Sequence, residues 1–78
     1  MPDHGQADRE THQPSVVRMA DDIARNLPHL PDHERAQAVA SHLRSFWDPR
    51  MRAELKAIVA ADPELVEPVV REATALLP

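Results

Sequence analysis

The placing of proline limits this chain more than any other feature. After residue 14, proline recurs at positions 28, 31, 49, 63, 68 and 78. Proline lacks a backbone N–H and collides with the helical turn before it, so a helix tolerates it only in the first turn. Every segment between these positions is therefore short. Three of the prolines follow an acidic residue, as Asp48-Pro49, Asp62-Pro63 and Glu67-Pro68. An aspartate before a helix accepts hydrogen bonds from the free N–H groups of the first turn. Proline at N1 lacks only a donor that had no partner there. The pattern is one of repeated helix starts, with no glycine between the helices to make the turns.

The apolar residues between the prolines recur at helical spacing. Ser15 serves as an N-cap for a helix over 16–27, in which Val16, Ala20, Ile23 and Leu27 form one stripe with Met19 and Ala24 beside it. Asp21 and Arg25 fall on its polar side, four apart, a favourable pair. Pro28 ends the helix, and His29-Leu30-Pro31 is a stiff connector. Asp32 caps a second helix over about 33–47, whose apolar arc holds Ala36, Val39, Ala40, Leu43, Phe46 and Trp47. This arc carries both Phe46 and Trp47 to the buried edge at the helix end. A third helix runs from Pro49 to about Ala61 on Met51, Leu55, Ile58 and Val59. Glu67-Pro68 opens the last helix, with Val69, Ala73, Leu76 and Leu77 as its stripe and Val70 alongside; residues 63–66 form a turn or one short helical piece. No stretch alternates as a strand does. The fold class is all-α, a small bundle of three to four short amphipathic helices with short connections.

Residues 1–14 hold no large apolar residue after Met1, and nothing there offsets the entropy of ordering. We read 1–14 as a disordered tail, with His4 and His12 solvated, and 15–78 as the helical domain. The chain has 78 residues, a size at which one core gives little stability without staples or partners. It has no cysteine, so no disulfide or thiolate metal site. Twelve of its apolar residues are alanine, which favours helix but buries little area. The core is expected to be thin and shared with a partner.

The net charge of −4 opposes binding to nucleic acid, which rests on neutralising phosphates. No apolar run is long enough to span a membrane, and the first residues are polar, unlike a secretory signal. The default location is the cytoplasm. Catalytic chemistry finds little footing. Ser41 and His42 are consecutive and do not face each other on a helix. His29, Asp32 and His33 match no metal motif with a mechanism. There is no glycine-rich phosphate loop, and no enzyme active site is expected.

One stretch concentrates the rare residue types. The only phenylalanine and the only tryptophan, Phe46 and Trp47, stand next to each other before Asp48-Pro49, and Arg44, Arg50 and Arg52 surround them. One helix should end and another begin here with almost no loop. Residues 42–56 carry Arg44, Arg50, Arg52 and Lys56 against Asp48 and Glu54, a basic corner in an acidic chain. Arg52 and Lys56, four apart, repel each other unless a carboxylate or phosphate intervenes. Two readings are open. The corner is a solvated face with Trp47 filling the core, or it is a docking site, since tryptophan and arginine dominate interface hot spots.

The run HLRSFWDPRMR, residues 42–52, resembles the small delta subunit of NAD-dependent, molybdenum- or tungsten-containing formate dehydrogenases. The resemblance extends upstream to VRMADDIA and downstream to Glu67-Pro68-Val69-Val70, about residues 15 to 77. It implies an accessory subunit that holds no cofactor and has no active site of its own. The implied partner is the catalytic alpha subunit, which carries a bis-molybdopterin guanine dinucleotide cofactor and iron–sulfur clusters and oxidises formate. Beta and gamma subunits, with flavin and further clusters, pass the electrons to NAD. The implied role is docking on alpha and support of holoenzyme assembly or stability. The partner-binding residues it points to are Leu43, Arg44, Phe46, Trp47, Asp48, Pro49, Arg50, Met51 and Arg52. Without the resemblance, two other classes stay open: a small regulatory or nucleic-acid-binding helical domain, and a self-associating bundle.

Overall fold

The computed structural model describes residues 14–78. The expected tail 1–14, with His4 and His12, lies outside the described residues except for Pro14. The described chain forms four α-helices and no strand: α1 Ser15–Arg25, α2 Asp32–Phe46, α3 Pro49–Ala61 and α4 Pro68–Ala75, with a short 3-10 turn at Pro63–Leu65 before α4. No described residue has a positive φ, so prolines and caps make all the turns.

The helix boundaries follow from local chemistry. Pro14 and Pro31 take the half-in position before α1 and α2, with φ −57°, ψ 146° and φ −58°, ψ 154°. That extended conformation is where the proline ring already holds φ. Ser15 and Asp32, expected as caps, are consequently the first residues of their helices, and neither helix has a side-chain cap. Asp32 instead pairs with Arg35 at 2.9 Å. It also lies with Glu34 in the first turn of α2, where the helix dipole favours negative charge. α1 stops at Arg25, short of Leu27, because the residue before a proline is forced out of the helical region. At Asp48 the cap is the expected one, with Oδ1 accepting from the Met51 N–H at 2.9 Å.

The helices share one hydrophobic cluster. Its largest fully buried side chains are Leu43, Leu55, Val17, Val39 and Val70. Val16, Trp47, Val66, Val69 and Leu77 complete it with Ala20, Ala24, Ala36, Ala40 and Ala73, whose small side chains let the helix backbones approach closely. α2 packs most extensively against α4. Three large apolar residues depart from the sequence pattern. Met19 and Leu76 are about two-fifths exposed, and Phe46 is 76% exposed.

α1 has turned relative to its apolar stripe. Val16, Val17, Ala20, Asp21 and Ala24 are buried, while Ile23 and Leu27 are only half-buried. Asp21, expected on the polar side beside Arg25, is only 3% exposed. Its carboxylate accepts the Glu67 N–H at 3.2 Å and so serves the start of α4. Arg25 turns away from it and binds Glu67 Oε2 at 2.7 Å and Asp22 at 3.4 Å. At the other end, Leu76 follows the last residue of α4 and lies outside the core, and Thr74 is buried in its place. The Thr74 hydroxyl is satisfied by donating to the Arg71 carbonyl at 2.8 Å.

Candidate functional site

The corner between α2 and α3 has no loop beyond Trp47 and Asp48. α2 keeps helical geometry through Phe46, and Trp47 then becomes extended at φ −89°, ψ 144°. This one change separates the two aromatic rings. Trp47 turns into the core and is 7% exposed. Phe46 stays on the flank of α2, out of the buried edge where its position in the arc had placed it. Its ring tilts against His42, four residues earlier, at a centroid distance of 4.8 Å and 40° between planes.

Two opposed caps lock the corner. Asp48 caps the start of α3 through the Met51 N–H. Arg52, one turn into α3, reaches back to the end of α2. Its Nη1 donates to the Leu43 carbonyl at 3.2 Å and to the Trp47 carbonyl. Carbonyls at a helix C-terminus carry the negative end of the dipole, so a guanidinium is well placed there, sharing the Leu43 carbonyl with the Trp47 N–H. Lys56 donates to the Pro78 carbonyl at 2.8 Å. Both Arg52 and Lys56 are therefore engaged inside the molecule.

The nine residues singled out in the sequence separate into two sets. Leu43 and Trp47 are buried, Met51 and Arg52 are half-buried, and together with the Asp48 cap they build the corner. Arg44, Phe46, Pro49 and Arg50 are exposed on its outside. Neither Arg44 nor Arg50 takes part in an ion pair; those found among the described residues belong to Arg25, His33, Arg35 and Arg71. The corner thus shows an exposed phenylalanine and two unengaged guanidinium groups on a rigid base.

Sequence reasoning missed two residues. His42 is the ring partner of Phe46, a contact legible in their spacing of four. Asp21 is the buried carboxyl at the α1–α4 junction, and burial raises its pKa against the lowering effect of the Glu67 N–H. Val17 and Ala24 lie four and three residues from it, but its burial depends on the distant Glu67 N–H, which no local pattern reports. His29, Asp32 and His33 do not come together as a site. His33 Nδ1 lies 3.2 Å from Glu72, and no cluster of three or more metal-ligating side chains occurs among the described residues. No described helix is long and apolar enough to cross a membrane.

No curated protein and no solved structure matches the chain. The model of one family does match, described as NADH-dependent formate dehydrogenase delta subunit FdsD, and it covers residues 15–74. That span takes in all four helices nearly to the end of α4, with the whole corner inside it. The chain belongs to the family of delta subunits of NADH-dependent formate dehydrogenase.

Proposed function

We propose that this delta subunit is an accessory protein that docks on the catalytic alpha subunit of a cytoplasmic formate dehydrogenase and supports assembly or stability of the holoenzyme. In this reading the chain has no active site and holds no cofactor; formate oxidation and transfer of electrons to NAD belong to the alpha, beta and gamma subunits. The outer half of the corner makes the contact. Phe46 enters an apolar recess of alpha, and Arg44 and Arg50 pair with its carboxylates.

The observation that supports this reading is the exposure of Phe46, at 76%, on a corner held rigid by the Asp48 and Arg52 caps. A large apolar side chain on a preorganised base loses little entropy on binding, and aromatic and arginine side chains contribute most to interface energies. Among the described residues the one aromatic ring contact of Phe46 is with His42. The test is co-purification. The tagged chain, expressed with the other subunits, is expected to recover alpha at fixed stoichiometry together with formate-dependent NAD reduction. Deleting the chain then separates its roles: loss of cofactor-loaded alpha indicates assembly, and faster thermal inactivation of loaded enzyme indicates stability. Recovery of the tagged chain without alpha would refute the docking role.

A further inference from the structure

Lys56, Val59 and Ala60 of α3 and Arg71, Thr74 and Ala75 of α4 line a depression of about 230 Å³. None of the nine corner residues borders it. Each wall repeats one pattern: a cation, then a β-branched residue and an alanine three and four positions on. That spacing keeps the three on one face of a helix. The walls run in opposite directions. Lys56 donates to the Pro78 carbonyl past the end of α4, and Arg71 lies 3.7 Å from Glu64, which follows α3. The two cations therefore stand at opposite ends of the groove, one on each wall. Between them the surface is apolar. Val59 is half-buried against the core, and Ala60 and Ala75 are exposed side chains too small to fill the space. The Thr74 hydroxyl is already donated to the Arg71 carbonyl.

We infer that this groove seats an acidic amphipathic helix of another subunit of the formate dehydrogenase. An apolar side chain of that helix covers Val59, Ala60 and Ala75, and carboxylates on either side of it meet Lys56 and Arg71. Charge selects the occupant. The six lining residues carry two positive charges and no negative one, in a chain of net −4. Both cations have donors to give. Lys56 uses one of its three on Pro78, and the Arg71 contact with Glu64 is beyond hydrogen-bond reach. Shape selects it too. Two helices side by side leave a groove that takes the side-chain ridge of a third, and anchors one turn apart are how an amphipathic helix fills it. The depression is smaller than the roughly 300–1,000 Å³ that holds a drug-sized ligand, so it suits side-chain anchors better than a cofactor. A bare inorganic anion would leave the apolar surface uncovered. A second copy of the chain is disfavoured, because a two-fold contact centred on the groove sets its cations against themselves.

The experiment uses the full tagged chain co-expressed with the other subunits. A photo-crosslinking amino acid replaces Ala60, an exposed lining residue. Its yield is measured in the wild-type background and in one that also carries Lys56→Gln and Arg71→Gln. The crosslinker is expected to join another subunit, and mass spectrometry to place the bond on a helix that bears carboxylates. The two glutamines are expected to keep the helical circular dichroism and to lower the yield at least about threefold, as loss of two part-exposed charge pairs does. Added salt should lower the yield in the wild-type background and much less with the glutamines. A bond only to a second copy, a bond to a segment without carboxylates, or no bond while other subunits co-purify overturns the inference and leaves docking through the corner standing. A yield that neither the glutamines nor salt lowers overturns it too. If the chain recovers no other subunit, the docking reading fails with it. Should the glutamine variant unfold, the salt dependence in the wild-type background decides.

Discussion

Arg52 and Arg50 lie two residues apart in the first turns of α3, and the structure gives them opposite roles. Replacing Arg52 by alanine (Arg52→Ala) removes the guanidinium that donates to the Leu43 and Trp47 carbonyls. The Leu43 carbonyl keeps a second donor, the Trp47 N–H at 3.1 Å, so it is not orphaned. The loss is thus close to that of one hydrogen bond to a charged group, about 1.5–3 kcal/mol. Loss of the cation at the helix C-terminus adds about 0.3–1 kcal/mol. Arg52 is half-buried, so solvent screening keeps the total near the lower end, at roughly 2 kcal/mol. A chain of this size has about 3–5 kcal/mol in total. With a slope near 1 kcal/mol per M of urea, the midpoint should fall by about 2 M. The assay is urea unfolding of the isolated chain followed by circular dichroism at 222 nm. Arg50→Ala, measured beside it, should unfold within about 0.5 kcal/mol of wild type, as an exposed surface substitution does. Equal midpoints for Arg52→Ala and wild type would refute the account of the corner as a capped and rigid joint, and a large loss in Arg50→Ala would make that arginine structural and remove it from the docking surface.

Three further outcomes follow from the packing and charge. Leu43→Ala should cost about 2–5 kcal/mol, enough to leave the isolated chain largely unfolded by circular dichroism, because Leu43 is fully buried where α2 meets the corner. Asp21 has a folded-state pKa raised above the usual 3.8, chiefly by burial, so the folded chain binds its proton more tightly than the unfolded chain does. The ionised form therefore costs stability at neutral pH, and that cost fades as pH falls through the raised pKa towards 3.8. Asp21→Asn, which still offers an oxygen to the Glu67 N–H, should be the more stable chain at pH 7, with the gap narrowing in urea midpoints taken at successively lower pH. A gap that widens on acidification would contradict the sign. Arg25→Ala should change the unfolding free energy from urea titration by less than about 1 kcal/mol, because its pair with Glu67 is open to water on the arginine side.

The architecture was legible because proline and the acid-proline pairs act locally. Each marks an end that no tertiary contact has to decide, and the start of α3 at Pro49 and of α4 at Pro68 agree with the sequence reading. The errors at Ser15 and Asp32 share one cause: the proline before each took the half-in position that a polar residue usually fills. The face of α1 was not legible. Its apolar arc centres near Ile23, but the fold buries the side with Ala20 and Ala24, where α1 comes close to its neighbours, and Asp21 goes in with them because Glu67 supplies a hydrogen bond. That choice depends on a residue 46 positions away, which no local pattern reports. A single helical periodicity puts Phe46 and Trp47 on one buried edge. Helix geometry ends between them, and the extended backbone at Trp47 puts only the second ring inside. For the candidate site, the stretch is visible in the sequence, while its division into a structural inner half and an exposed outer half follows from the extended backbone at Trp47 and the reach of Arg52.

The outer half of the corner, proposed above as a docking surface, can be altered without touching the caps that stabilise the fold. The most direct measurement is recovery of the alpha subunit by a tagged chain with Phe46 and Arg50 both replaced by alanine (Phe46→Ala, Arg50→Ala), co-expressed beside the wild type and with circular dichroism recorded on each. The account predicts that the double variant is as helical as the wild type and recovers little or no alpha. Full recovery of alpha by a folded double variant would contradict it.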